Sequence, residues 1–176
     1  SGGPFSFSAG QYAAVSFEGL PARDYSMASL PDDPVLEFHV RAMDGGAVSQ
    51  HVRRGLKLGE RVRVEGPLGI SFLREKHTGP ILALAGGSGL APIKSIVGRA
   101  LQLGRKQPIQ LYLGVRDEPD LYLEAHFRAL EAQHPNFRFT PVLSEPKRKT
   151  RRRTGFLADI IRRDISGFDG GKAYLA

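Results

Sequence analysis

The strongest chemical signal in the sequence is a glycine-rich stretch, Gly86-Gly87-Ser88-Gly89-Leu90-Ala91-Pro92. It follows an apolar run and precedes apolar residues at helical spacing, so it predicts a turn between a buried strand and a helix. Glycines in such a turn let the backbone approach a pyrophosphate, and the free amides at the helix start favour its negative charge. Pro92 replaces the third glycine of the common dinucleotide fingerprint. The alternative is a plain tight turn.

A second signal is the tetrapeptide Arg23-Asp24-Tyr25-Ser26. If it forms a strand, Arg23 and Tyr25 share one face, because side chains alternate along a strand. The arginine could then pair with an anion while the tyrosine ring stacks on a flat ligand. Exposed strand residues without a ligand explain the tetrapeptide equally well.

A third signal is Gly45-Gly46-Ala47-Val48-Ser49, which precedes a short helical stretch at 48–54. Glycines before a helix start are a candidate anion site for the reason given above. The alternative is again an ordinary glycine turn.

The elements that must position these motifs change in kind near Thr78. Before that point, apolar and polar residues alternate and turn residues recur, which predicts a small antiparallel β-barrel. Its expected strands are 12–17, 23–29, 35–43 and 61–65. We therefore expect a first domain at 1–77 and a second at 78–176.

In the second half, strands apolar on both faces alternate with amphipathic helices, which predicts a parallel sheet with right-handed crossovers. The expected strands are 81–85, 109–115, 137–143 and 173–175, and the expected helices are 91–103, 119–133 and 157–165. The fold class is thus an antiparallel β-barrel followed by an α/β domain.

Composition narrows the function further. The 176 residues include no cysteine, which excludes disulfides and thiolate-bound metal clusters, and the five histidines show no pair at metal-ligand spacing, so no metal site is expected. No apolar run suits a membrane span and no signal peptide is visible, so the expected location is cytoplasmic.

The net charge of +7 is concentrated in one segment, which we call the basic run, residues 147–153. Without its six basic residues, 19 basic residues remain against 18 acidic ones. A nucleic acid is therefore an unlikely partner for the body of the protein. A run of like charge is most often a solvated, mobile loop, although docking or phosphate binding is the alternative.

These motifs occur in a fixed order, with Gln11-Tyr12 upstream and Gly66-Pro67-Leu68-Gly69 between them. In that order they resemble the ferredoxin–NADP reductase superfamily, and most closely the reductase components of bacterial oxygenases and related flavin reductases. The resemblance implies an FAD-binding barrel before a nicotinamide-binding domain. It also implies a first barrel strand before this chain and a nicotinamide-holding segment after it.

The resemblance further implies a role for each matching residue. Arg23 would bind the FAD pyrophosphate, Tyr25 would stack on the isoalloxazine ring, and Ser26 would hydrogen-bond near flavin N5. Tyr25, Ser26 and Ser88 would lie at the reacting rings. The other cofactor-binding residues that it implies are His39, Val40 and Arg41 at the flavin pyrimidine edge, Gly46, Ala47, Val48 and Ser49 at a flavin phosphate, Gly87, Ser88, Gly89 and Pro92 in the nicotinamide dinucleotide loop, and Gly114, Val115, Arg116, Asp120, Leu121 and Tyr122 near adenosine.

The activity implied is transfer of a hydride from NAD(P)H to FAD, followed by transfer of electrons to a protein or small-molecule acceptor. An iron–sulfur ferredoxin or an oxygenase component is the expected acceptor. Ser144 is followed by Glu145, where NADPH-using relatives commonly carry a serine and an arginine. A carboxylate repels a 2′-phosphate, which favours NADH. Two alternatives remain: a flavin-binding regulatory module without turnover, and a basic protein that binds nucleic acid or an acidic partner through the basic run.

Overall fold

The computed structural model describes residues 5–176 and begins with a three-stranded antiparallel sheet. Its strands are β1 (Tyr12–Ser16), β2 (Arg23–Ser26) and β3 (Arg63–Leu68), in the order β2-β1-β3, and helix α1 (Ala47–Arg54) lies between β2 and β3 in the chain. β1 alternates between half-buried and buried positions, and its buried side chains Ala13 and Val15 pack into the two apolar clusters of this half.

A five-stranded parallel sheet follows, in the order β7-β6-β5-β4-β8. Its strands are β4 (Ile81–Gly86), β5 (Ile109–Val115), β6 (Phe137–Leu143), β7 (Arg153–Thr154) and β8 (Lys172–Leu175). Helices α2 (Leu90–Gln102) and α3 (Glu124–Gln133) cover one face of this sheet, and α4 (Leu157–Asp164) covers the other. No helix within residues 5–176 is long and apolar enough to cross a membrane.

The strand order determines where a ligand can lie. The chain runs outward from β4 through β5 and β6 to β7, and then crosses back to place β8 on the other side of β4. In open parallel sheets, ligands bind beyond the carboxyl ends of the strands, beside such a change of direction. The end of β4 lies there, and it leads into the glycine-rich stretch.

The predicted two-part fold class is confirmed, but the strand expected at 35–43 is wrong. This segment has no strand of its own and pairs only through one bridge, between Met27 and Phe38. Its alternation has another cause, because Glu37 and His39 turn toward side chains of the parallel-sheet half. The polar positions thus face a second domain, which an alternating pattern cannot distinguish from solvent.

The helix expected at 119–133 is also wrong in its first part. A single 3-10 turn occupies Glu118–Asp120, and α3 begins only at Glu124. Leu123 separates them with a left-handed backbone, φ 57°, which a continuous helix cannot contain.

The basic run is more firmly anchored than a solvated loop. Lys147, Arg148, Lys149 and Arg151 are exposed as expected, but the last two residues of the run are ion-paired. Arg152 binds Glu118 and forms two hydrogen bonds with Glu124, and Arg153 binds Asp164. Arg153 also begins β7, a strand that the sequence pattern did not predict.

Helix α2 joins the two halves through its polar side. Ser95 Oγ donates to the carbonyl oxygen of Ser29 at 2.7 Å, and Arg99 binds both Asp32 (2.6 Å) and Glu75 (3.0 Å). Because α2 also follows the glycine-rich stretch directly, these contacts hold that stretch in place relative to the antiparallel half.

Candidate functional site

A cavity of about 740 Å³ lies beyond the carboxyl ends of β4, β5 and β6, and we call it the outer cavity. The glycine-rich stretch contributes one wall and the ends of β5 and β6 contribute another. Among the predicted site residues, its lining includes His39, Val40, Arg41, Gly87, Ser88, Gly114, Arg116 and Ser144.

The glycines of this wall are needed for two different reasons. Gly87 has a left-handed backbone, φ 52°, in the 3-10 turn Gly87–Gly89 that joins β4 to α2. A Cβ on Gly89 would overlap the backbone of Ala176, which follows β8. Gly89 therefore permits close approach of the last strand, while the N-terminus of the 13-residue helix α2 is directed toward the cavity and favours an anion there.

A second cavity of about 470 Å³, the inner cavity, lies between β2 and α1. Its lining includes Arg23, Tyr25, Ser26, Gly46, Ala47, Val48, Ser49 and Gly89. The two cavities share His39, Arg41 and Ser88, so they meet at one seam between the two halves of the fold.

The tetrapeptide forms β2, and all four of its residues line the inner cavity. Arg23 and Tyr25 both line the inner cavity, and the one side-chain hydrogen bond of Arg23 within residues 5–176 goes to the neighbouring carbonyl of Ala22. Burial raises the pKa of Tyr25, and the Arg23 charge opposes this. At neutral pH the tyrosine is thus an uncharged ring beside an arginine that is available for an anion.

The backbone at the start of α1 can accommodate a phosphate, but the Ser49 hydroxyl forms hydrogen bonds within its own loop. A Cβ on Gly46 would lie 2.6 Å from Ser49 Oγ, so no side chain fits at that position. The Ser49 hydroxyl accepts from the Met43 amide at 3.0 Å and donates to the Gly46 carbonyl at 3.1 Å. Ser49 therefore shapes the loop, and the amides at the helix start remain for a ligand.

These features fit FAD in the inner cavity. An arginine and a helix start suit a pyrophosphate, and an uncharged tyrosine suits a flat ring. The outer cavity, with a helix start and a position beyond parallel strands, suits a nicotinamide dinucleotide. At the shared seam, one ring from each ligand can meet.

Side chains from both halves form a hydrogen-bonded chain at this seam. The Tyr122 hydroxyl lies 2.9 Å from His39 Nδ1, His39 Nε2 lies 2.9 Å from Glu37, and Glu37 accepts from Lys94 at 2.6 Å. Partial burial opposes ionisation of Glu37, but hydrogen bonds from Lys94 and His39 outweigh it and lower its pKa. Burial and the Glu37 charge raise the pKa of Tyr122 to about 12.

The far end of the outer cavity lies beyond β6. The backbones of β5 and β6 continue side by side here, since the Glu145 amide donates to the Arg116 carbonyl at 2.8 Å. Arg116 and Ser144 line the cavity. Glu145, the next residue, is exposed and is not part of the lining.

Three predicted site residues do not line either cavity, namely Pro92, Leu121 and Glu145. Pro92 is buried in the first turn of α2, where it needs no amide hydrogen, and Leu121 packs against the apolar core. The lining residues that were missed include Phe156, which is 68% exposed at the start of α4. An aromatic residue between Gly155 and a predicted helix start was the signal that could have revealed it.

Family models match both halves of the chain. The oxidoreductase FAD-binding domain model matches residues 4–72, and the oxidoreductase NAD-binding domain model matches residues 83–176. The first match contains β1 to β3 and most of the inner cavity, and the second contains the glycine-rich stretch and most of the outer one.

Among curated proteins, the chain is 47% identical over 172 residues to the ferredoxin–NAD(P)(+) reductase component of naphthalene 1,2-dioxygenase/salicylate 5-hydroxylase systems of Ralstonia sp. It is 45% identical over 172 residues to the corresponding component of the naphthalene 1,2-dioxygenase system of Pseudomonas putida. Each match covers 98% of this chain and 52% of the relative. The chain thus spans about half the length of these relatives.

Among solved structures, the cytochrome P450 reductase GcoB of Amycolatopsis superimposes with a TM-score of 0.91 at 38% identity. The match covers 98% of this chain and 54% of that protein. The two-part fold and the arrangement of its halves are therefore shared with an oxidoreductase of known structure.

Proposed function

The chain belongs to the oxidoreductase NAD-binding domain family and also matches the FAD-binding domain model, and on this premise we propose that it transfers a hydride from NAD(P)H to FAD. The observation that carries the proposal is the seam where the two cavities share His39, Arg41 and Ser88. A hydride moves only between rings in contact, and at this seam one ligand in each cavity can bring its ring to the other.

The redox chemistry is that of the two cofactors, with nicotinamide C4 as hydride donor and flavin N5 as acceptor. The protein supplies binding and alignment. Arg23 and the start of α1 hold the FAD phosphates, Tyr25 stacks on the flavin ring, and Ser26 lies near N5. Ser88 lies between the two rings, because it lines both cavities.

We assign NADH as the preferred donor. Arg152 and Arg153, the cations that a returning loop would bring to a 2′-phosphate, are already bound to Glu118, Glu124 and Asp164. Glu145, which follows the lining residue Ser144, adds a negative charge that disfavours a 2′-phosphate. Arg116 in the lining and the exposed cations of the basic run are the features that favour NADPH.

The acceptor in this proposal is a ferredoxin or an oxygenase component, so that the chain serves an oxygenase-type electron-transfer system. The support is the similarity to the reductase components of the naphthalene 1,2-dioxygenase systems, at 45% and 47% identity. In this proposal the acceptor is on another chain or elsewhere in a longer chain.

The test is purification of the full natural chain with added FAD, followed by anaerobic mixing with NADH and measurement of flavin absorbance. We expect a yellow protein whose flavin is bleached within the dead time or within seconds. A protein that takes up no flavin contradicts the FAD site. A protein that holds flavin but is not bleached by NADH or NADPH is a flavin-binding module without turnover.

A further inference from the structure

Tyr122 terminates a chain of polar side chains that connects α2 with the seam between the cavities. Its ring meets His39 edge-on, with the ring centres 5.2 Å apart, and its hydroxyl lies 2.9 Å from Nδ1. The side chains of His39 and Lys94 are 12% and 16% exposed, and that of Glu37 between them is 45% exposed. Glu37 thus links two largely buried side chains, one from each half of the fold.

The charge on Glu37 sets the direction of the hydrogen bonds. An ionised carboxylate only accepts hydrogen bonds, so His39 Nε2 carries the hydrogen and donates a hydrogen bond to Glu37. In the neutral imidazole Nδ1 is then an acceptor, and the Tyr122 hydroxyl donates to it at 2.9 Å rather than to the Gly87 carbonyl oxygen, which lies farther away at 3.4 Å. The phenolic oxygen of Tyr122, in the wall of the outer cavity, retains its lone pairs for a donor on a ligand.

The backbone next to Tyr122 is strained in a way that supports this arrangement. Leu123 is the one non-glycine residue within 5–176 that has a left-handed conformation. Such a conformation is unfavourable for a residue with a side chain and persists where its surroundings impose it. Here it lies between Tyr122, which lines the outer cavity, and Glu124, where α3 begins.

We infer that Tyr122, held by His39 and Glu37, accepts a hydrogen bond from the carboxamide group of nicotinamide and so orients that ring. The family resemblance implied a place for Tyr122 near adenosine, but its partner His39 is shared with the inner cavity, where the flavin lies in the proposed function on which this inference rests. The contact sets the angle and depth at which the nicotinamide ring reaches the flavin.

The experiment compares Tyr122→Phe with the wild type in the FAD-loaded full natural chain. Phenylalanine retains the buried ring and removes only the hydroxyl. A matched control is Tyr112→Phe, since Tyr112 is a buried tyrosine of the same domain that bonds Asp164 at 3.0 Å and lines neither cavity. Four quantities are measured: the dissociation constants of FAD and of ADP-ribose, the limiting rate of flavin reduction at saturating NADH, and the change in visible flavin absorbance when NAD⁺ binds.

For Tyr122→Phe we expect a limiting rate lower by about tenfold or more, because a ring displacement of about 1 Å can cost about a hundredfold. We also expect a smaller absorbance change with NAD⁺. FAD and ADP-ribose, which carry no nicotinamide ring, bind as in the wild type. Tyr112→Phe leaves all four quantities unchanged.

Two results overturn the inference. One is a Tyr122→Phe protein that is reduced as fast as Tyr112→Phe. The other is a parallel loss of FAD and ADP-ribose affinity, which indicates a general structural role. Glu37→Gln tests the hydrogen-bonded chain from its other end, at a residue outside both cavities. It is expected to lower the limiting rate of flavin reduction without changing ADP-ribose affinity. An unchanged rate removes Glu37 from the inference. A wild-type protein that NADH does not reduce contradicts the proposed function instead.

Discussion

The Ser95 hydroxyl on α2 donates a 2.7 Å hydrogen bond to the carbonyl oxygen of Ser29, and both residues are buried. Ser29 belongs to the antiparallel half and Ser95 to the helix that follows the glycine-rich stretch, so one buried bond joins the two halves next to the site. Close packing accompanies it, because a Cβ on Gly98 would lie 2.8 Å from Leu30. The two halves therefore pack closely against each other at this contact.

Ser95→Ala should lower the free energy of unfolding by about 1 to 3 kcal/mol, because it leaves the Ser29 carbonyl buried without a partner. Chemical denaturation followed by circular dichroism measures the change. The control is Ser166→Ala at an exposed position, for which no change is expected. Equal stability of both variants would show that water replaces the lost hydroxyl at no cost.

The parallel half could be predicted closely from sequence because its strands are apolar on both faces and its helices show a clear apolar stripe. β4, β5 and β6 begin and end within a residue of the expected positions. Strand β7 was missed because its two residues, Arg153 and Thr154, carry no hydrophobic signal, and it is held by pairing with β6. This strand forms because it pairs with β6, and the local sequence around Arg153 and Thr154 does not reveal that pairing.

Arg23→Ala should weaken FAD binding more than Ser26→Ala. Arg23 offers a charge-assisted contact, whose loss typically costs about 1.5 to 3 kcal/mol, against about 1 kcal/mol for the neutral serine. Titration of the apoprotein with FAD, followed by quenching of flavin fluorescence, gives both dissociation constants. Equal constants would contradict the assignment of Arg23 to the pyrophosphate.

Arg41→Gln should weaken ADP-ribose binding about tenfold to a hundredfold. The Arg41 guanidinium lies at the seam beside Gly87, and its ion pair with Asp120 is long, at 3.9 Å, so it can turn to a dinucleotide pyrophosphate. Loss of a charge-assisted contact of about 1.5 to 3 kcal/mol has this effect. Calorimetry measures the affinity, and Arg54→Gln, an exposed arginine outside both cavities, is the control.

Tyr112 should make the protein less stable in alkali. Burial, and next its hydrogen bond to the Asp164 carboxylate, raise the pKa of Tyr112 to about 12, whereas a tyrosine in the unfolded chain ionises near 10. Between about pH 10 and 12 the unfolded state therefore loses a proton that the folded state keeps, and the free energy of unfolding falls as the pH rises. Tyr112→Phe should show a shallower fall over that window in urea titrations at successive pH values.

The sequence predicted those parts of the candidate site that depend on a local motif. It did not predict those parts that depend on contacts between residues distant in the sequence. Arg23, Tyr25 and the glycine-rich stretch line the cavities as expected because each motif is local. The pairing of His39 with Tyr122, 83 positions later, depends on how the two halves meet. The hydroxyl of Ser49 could not be assigned from sequence either, because it is used within its own loop.

The preference for NADH over NADPH depends on which charges face the adenosine ribose. Arg152 and Arg153 form ion pairs with Glu124 and Asp164, and neither arginine lines the outer cavity. Each would have to give up its ion pair to reach a 2′-phosphate. Glu145 follows the lining residue Ser144, and in the proposed function its carboxylate accepts a hydrogen bond from a 2′-hydroxyl but repels a phosphate.

We therefore expect the wild-type protein to have a higher kcat/KM with NADH than with NADPH. Glu145→Arg should shift this ratio toward NADPH by about tenfold or more, because replacing a repulsive charge with an attractive one changes the binding free energy by about 1.5 to 3 kcal/mol. Steady-state kinetics with both donors at low and high salt measure the ratio. The shift should shrink at high salt, because an exposed charge pair is screened beyond about 10 Å at 0.1 M. Glu145→Gln, which removes the charge without reversing it, is expected to fall between the two. A tenfold preference of the wild type for NADPH would mean that Arg116 or the basic run, and not Glu145, selects the donor.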